Sequence, residues 1–189
     1  MTYIVALEGL SSAGKTTLAR EIRRQLGTSA IMYLHEDAPA DTELSSTITM
    51  RDPWTRDLIY AASAISMWRI AMSSETPITI IDRYIDSLYV YSSREPPVIR
   101  HMLNVLIAEI RQPDLVIWLD TPLPEIQERR LAACKTFDAV GDALLRRRYK
   151  TALEARYGAS GQLLIVRDEA TQLKAIEYLQ NVLQEEQEE

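Results

Sequence analysis

A chain of 189 residues is the size of one domain and long enough to bury a single sizeable core. Its 47% hydrophobic and 25% charged residues are ordinary for a soluble globular protein, and no apolar stretch is long enough to cross a bilayer. A net charge of -6 without a long basic run argues against a nucleic-acid-binding surface, so a polyanionic ligand must be met by a local cluster of positive groups. Cys134 is the single cysteine, which excludes an internal disulfide or a multi-cysteine metal site and fits a reducing compartment. The first apolar run stops at Glu8, so no signal peptide is expected and the cytoplasm is the expected location.

In chain order, residues 4–7 form a short apolar, β-prone run. A glycine-bearing loop follows, and then Leu18, Ile22 and Leu26 recur at helical spacing. A second strand is predicted over 30–34, followed by a polar, irregular segment from 36 to 53 that contains Pro39 and Pro53. Leu58, Ala62, Ile65, Trp68 and Met72 predict an apolar helical stripe, ahead of a third strand at 78–81. Met102, Leu106 and Ile110 predict another stripe, and 115–119 a fourth strand. The segment 131–141, with Lys135, Thr136 and Asp138, separates two helical patterns. A fifth strand at 163–166 precedes a helix carrying Leu173, Ile176, Leu179 and Leu183, which ends in an acidic tail at 184–189.

Short apolar strands alternating with helices predict an α/β fold, with right-handed βαβ units and a parallel sheet covered on both faces. There is no internal repeat or linker, so residues 1–189 are expected to form one domain. In such sheets ligands bind beyond the carboxyl ends of the strands, which places segments 36–53 and 131–141 on the rim as acceptor-binding and lid elements.

Two motifs carry chemistry. Gly9, Leu10, Ser11, Ser12, Ala13, Gly14, Lys15, Thr16 and Thr17 fit G-x-x-x-x-G-K-[ST], the P-loop. Between a strand and a helix, such a loop aims backbone N–H groups and a helix N-terminus at one anion. Lys15 would reach the β- and γ-phosphates of a bound nucleotide, and the Thr16 hydroxyl would ligate Mg²⁺. The third strand runs into Asp82, Arg83 and Tyr84, where Asp82 is placed to hold a metal-bound water or accept a proton and Arg83 to clamp phosphate oxygens. The plainer alternative for this pair is a helix N-cap followed by a surface ion pair. Trp54, just after Pro53, is a candidate for the acceptor pocket, whereas Trp68 and Trp118 fall on apolar patterns and are expected in the core. His35 and His101 are too far apart, without suitable neighbours, to make a zinc site.

These residues together resemble the thymidylate kinases, P-loop nucleoside monophosphate kinases. Ala6 to Leu10 leading into Gly14-Lys15-Thr16-Thr17 is similar to that family's opening. Asp82-Arg83-Tyr84 with Ser87 and Tyr91 resembles its D-R-Y-x-x-S segment and the tyrosine after it. Leu119-Asp120, Pro124-Glu125-Ile126 and Arg130 resemble the approach to its lid, and Arg148-Tyr149 the helix after the lid. The resemblance implies a P-loop kinase fold, a five-stranded parallel sheet in the order 2-3-1-4-5, ATP with Mg²⁺ as donor, and a homodimer formed through helices such as 54–72. It also implies that Asp82 assists the metal and the nucleophile, and that Arg83, Tyr84 and Tyr91 face the acceptor. The family's arginine that stabilises charge during transfer has no clean counterpart; Arg129, Arg130 and Lys135 are the candidates in the lid-like stretch, with Arg130 preferred.

The sequence departs from the family on the acceptor side. His35-Glu36-Asp37-Ala38-Pro39 stands where the family grips the acceptor phosphate with an arginine. Ser11 replaces an acid, Ala64 the arginine that reads thymine, and Ser92 a glutamine. The expected function is a thymidylate kinase-like transfer from ATP to dTMP or a related nucleotide. One alternative is a deoxynucleoside or other hydroxyl kinase with Glu36 as base, since a hydroxyl must lose a proton on attack. Glu36 reads equally as a solvated loop acid. A further alternative is a non-catalytic ATP-binding regulatory protein.

Overall fold

The structure is a computed structural model and describes residues 2–33, 53–92, 101, 104–105 and 108–188. Five strands carry the fold: β1 (Tyr3–Gly9), β2 (Ala30–Tyr33), β3 (Ile78–Asp82), β4 (Leu115–Leu119) and β5 (Leu163–Val166). All pairings are parallel, in the order β2-β3-β1-β4-β5, as the family resemblance implied. Each predicted strand lies within two residues of an observed one, and the central strands β1, β3 and β4 are buried along nearly their whole length.

Alternation along β1 divides the core. Val5 and Leu7 point to one face, where α1 (Lys15–Leu26) and α6 (Glu169–Glu188) pack through Leu18, Ile22, Ile176, Leu179 and Leu183. Ile4 and Ala6 point to the other face, covered by α2 (Pro53–Met72), α3 (Ile85–Ser92) and α5 (Ala139–Tyr157). Trp118 sits in this second layer, 2% exposed, as its place in a strand run predicted. The remaining helix, α4 (Leu123–Ala132), connects β4 to the segment before α5.

Helix α2 corrects one expectation. The predicted stripe of Leu58, Ala62, Ile65, Trp68 and Met72 does not form its inner face. Ala61, Ala64, Met67 and Ala71 are buried instead, while Leu58 and Met72 are exposed and Ile65 and Trp68 pack from the side. Three of the four inner residues are alanines, whose small side chains let helix backbones approach closely. Of the stripe predicted further on, Ile110 is buried, and Met102 and Leu106 lie outside the described residues.

The register sets the site. Leu7 pairs with Asp82 and Gly9 with Leu119, so β1, β3 and β4 end side by side. Chain connections diverge to opposite sides of β1, and that switch point is where an open α/β sheet leaves a crevice.

Candidate active site

A cleft of about 890 Å³ opens at this crevice. Its lining runs through residues 11–18 and includes Asp82, Arg83, Thr121, Glu125, Arg129, Lys135 and, at the far end, Val166 to Glu169 with Gln172. The predicted loop thus forms one wall of the cleft, and the predicted Asp82-Arg83 pair reaches it from β3.

The loop is held by contacts the motif alone does not reveal. Gly9 has φ 146°, and a Cβ there would meet the Leu119 carbonyl oxygen at 2.8 Å, so only glycine fits between β1 and β4. Gly14, with φ 101°, takes the left-handed turn into α1. Gly9 and Leu10 lie beneath the cleft, and their carbonyls accept from Lys15 Nζ at 3.2 and 2.8 Å. The next three carbonyls each have a donor from the β4–α4 side: Ser11 takes Arg130 Nη2 at 3.2 Å, Ser12 takes Arg129 Nη1 at 3.3 Å, and Ala13 takes Thr121 Oγ1 at 2.8 Å. With its carbonyls held from outside, the loop is fixed in shape before any ligand arrives.

Thr16 Oγ1 donates to Asp82 Oδ2 at 2.6 Å. Asp82 Oδ1 is buried and has no hydrogen-bond partner among the described residues. Lys15 is 5% exposed. Burial, and next the nearby Arg83, push its ammonium down to about 7, against the pull of Asp82 and Glu8. A site in this state gains strongly from an incoming anion, which restores the charge.

Arg83 has φ 70°, uncommon for a side chain as large as arginine. Its Nη1 donates to the Gly9 carbonyl at 3.3 Å, to Ser87 Oγ at 3.3 Å and to Tyr149 OH at 3.5 Å, and its guanidinium lies 5.5 Å from the Tyr91 ring centroid. Tyr91 in turn meets Tyr149 edge-on at 6.1 Å. Tyr84 turns the other way, 2% exposed in the core, with its hydroxyl donating to the Arg111 carbonyl. The left-handed turn at Arg83 points that arginine toward the P-loop and sends the next side chain inward, so Tyr84 contributes no lining to this cleft.

Sequence reasoning missed Glu8. Fully buried at the end of β1, its carboxyl accepts from the backbone N–H groups of Tyr84 and Ser87 at 2.9 and 3.1 Å and from Ser87 Oγ. It thereby caps the first turn of α3 from a neighbouring strand. Burial, followed by the charge of Asp86, raises the carboxyl to about 7. An acidic residue inside an otherwise apolar strand was the available signal. Arg130, the expected lid arginine, is tied to Asp142, whereas its neighbour Arg129 lines the cleft. Glu36 and the side chain of Trp54 lie outside the described residues.

The loop, the threonine–aspartate pair and the buried lysine assemble a nucleoside-triphosphate site, and the family model described as thymidylate kinase matches residues 7–171. The chain belongs to the thymidylate kinase family. Homologues in this family are ATP-dependent phosphotransferases that act on small nucleotides. A thymidylate kinase from Marinomonas sp. (strain MWYL1) is 30% identical over 141 residues, and the chain spans 66% of that enzyme's length. Among solved structures, thymidylate kinase from Candida albicans superposes with a TM-score of 0.71 at 18% identity, covering 96% of this chain and 93% of its own. Deoxyadenosine kinase from M. mycoides, solved with dCMP and dCDP, gives a TM-score of 0.72 at 16% identity, covering 96% of this chain and 99% of its own. Both are likenesses of fold.

Proposed function

We propose that the chain is a cytoplasmic nucleoside monophosphate kinase of the thymidylate kinase type, moving the γ-phosphate of ATP to dTMP or a related nucleotide. The observation that carries this reading is the Thr16–Asp82 hydrogen bond beside Lys15, with Asp82 Oδ1 buried and unpartnered among the described residues. A hydroxyl and a carboxylate with a spare oxygen suit Mg²⁺, a hard cation bound through oxygen and water. Thr16 and Asp82 would hold it, and the ion would neutralise charge on the donor phosphates.

The chain's own groups account for the rest. Residues 11–17 wrap the phosphates, and Lys15 recovers its full charge against them. An oxygen of the acceptor phosphate, already ionised at neutral pH, attacks the γ-phosphorus. The new O–P bond forms as the bond to the β–γ bridging oxygen breaks, and ADP departs with that electron pair. No base is needed for such an acceptor. Arg83, fixed between the P-loop and α3, faces the acceptor side and offers its remaining N–H groups to the phosphate there. Tyr91 lies against the same guanidinium.

Assembly as a homodimer belongs to the same proposal. Helix α2 leaves Leu58, Ile70 and Met72 exposed at 39, 43 and 37%, apolar surface beyond the face it gives the core. The test of function is ADP release with a panel of ribo- and deoxynucleoside monophosphates and their parent nucleosides. The proposal expects turnover with a monophosphate. Turnover with nucleosides alone would move the chain to the hydroxyl kinases, with Glu36 as the base to examine. Tight ATP binding without ADP release from any acceptor would make it a regulatory protein.

A further inference from the structure

Helix α4 ends in two adjacent arginines that face different ways. Arg130 is 8% exposed and makes a bidentate pair with Asp142 in the first turn of α5, at 2.7 and 3.0 Å. The same guanidinium donates to the carbonyls of Thr136 at 3.4 Å and Ser11 at 3.2 Å, and it stacks 5.8 Å from the Phe137 ring centroid. Asp142 also accepts from the Asp138 backbone N–H at 3.2 Å, and the Lys135 N–H donates to the Arg130 carbonyl at 2.8 Å. One ion pair therefore straps the P-loop, the segment after α4 and the start of α5 together.

The donors of Arg130 are committed by these contacts. Nη1 serves Asp142 and Thr136, and Nη2 serves Asp142 and Ser11, so no Nη hydrogen remains for a phosphate. Its Nε is buried without a partner among the described residues. Swinging Arg130 into the cleft would leave the buried Asp142 carboxylate uncompensated. Arg129 is in the opposite situation. Its side chain is 43% exposed and lines the cleft, and Nη1 lies 3.2 Å from where a Cβ on Gly14 would stand. It has given one contact to Ser12 and one to Glu125, which leaves N–H groups free on both Nη atoms.

We propose that Arg129 is the cation that contacts the donor phosphates, and that the Arg130–Asp142 pair is a positioning device that holds Arg129 over the P-loop. This rests on reading the cleft as a nucleoside-triphosphate site. A misplacement of about 1 Å is enough to cost a phosphoryl-transfer site roughly a hundredfold in rate.

The test is a double-mutant cycle on the full chain, read both as ATP affinity by calorimetry and as kcat/KM for ATP with the best acceptor of the panel. Arg129→Gln and Asp142→Asn are each expected to lower kcat/KM roughly tenfold or more and to weaken ATP binding roughly threefold. The double variant is expected to fall no further than the poorer single one, because Asp142 acts through Arg129. Arg130→Lys keeps the charge but loses the planar fork, and it is expected to match Asp142→Asn, which covers the case in which the latter fails to fold. Losses that add in the cycle would reduce Asp142 to a structural residue and overturn the proposal. So would ATP affinity and kcat/KM within about twofold of wild type in Asp142→Asn or Arg129→Gln. A wild-type chain that binds ATP without turnover would overturn the kinase reading alone, and the affinity cycle would still decide the strap.

Discussion

Thr16 Oγ1 and Asp82 Oδ2 stand 2.6 Å apart, joining the first turn of α1 to the last residue of β3. The second oxygen of Asp82 is buried without a donor among the described residues, an arrangement that costs about 1–3 kcal/mol and persists where a ligand supplies the missing partner. Asp82→Asn is expected to lower kcat by about a hundredfold or more while leaving melting temperature unchanged or raised. The Mg²⁺ concentration for half-maximal rate should rise at the same time. Steady-state kinetics across a Mg²⁺ titration would show this, and an unaltered metal dependence would remove Asp82 from the site.

Lys15 makes nucleotide binding a proton-linked event. Burial first, and Arg83 next, hold its ammonium near 7 in the free protein. A bound triphosphate favours the charged form and moves the group back toward its ordinary value of about 10. Between those limits the complex carries more protons than the free protein, so binding takes up protons and ATP affinity falls as pH rises. Below about pH 7 this group adds no slope, because it is protonated in both states. Calorimetry at about pH 8 in two buffers of different ionisation enthalpy should report uptake of most of one proton, and equal apparent enthalpies would contradict it.

Glu8 links folding to pH in the same range. Its carboxyl rises from 4.5 to about 7 on folding, chiefly through burial. Between these values the native chain binds more protons than the unfolded one, so the stability this group contributes is greatest below 4.5 and is lost as pH rises through 7. The slope is on the order of 1 kcal/mol per pH unit. Glu8→Gln keeps a carbonyl oxygen for the Tyr84 and Ser87 N–H groups and removes the titration. Its melting temperature should vary less with pH between about 5 and 7.5 than that of the wild type, and parallel curves would clear Glu8 of the linkage.

What the sequence made legible was local. Continuous apolar runs located all five strands, the three central ones because they are buried on both faces, but they hold no information about neighbours, and the strand order came from family resemblance. The P-loop is one contiguous motif whose glycines and lysine have fixed tasks, so its wall of the cleft was readable. Orientation was less so. Arg129 and Arg130 are identical neighbours, and what separates their tasks is Asp142, which lies 12 positions beyond Arg130 and has no motif of its own. Helix α2 satisfies apolar periodicity on two faces, and hydrophobicity alone favoured the larger side chains that the fold turns outward.

The exposed side chains of α2 yield the last prediction. Ile70 belongs to neither buried cluster and is 43% exposed, on a different side of α2 from the exposed Leu58 and Met72. If a second copy of the chain covers the surface around Ile70, that residue enters a desolvated contact in which a charge has no partner. Burying an unpaired carboxylate there costs several kcal/mol, which weakens association by roughly a hundredfold or more. In a monomer the same carboxylate remains in water and leaves stability within about 0.5 kcal/mol of the original. Sedimentation of the wild-type chain at micromolar concentration should therefore give a dimer, and Ile70→Glu a monomer with an intact fold by circular dichroism. A wild-type chain that stays monomeric over the accessible concentration range would show that the exposed apolar residues of α2 do not mediate self-association.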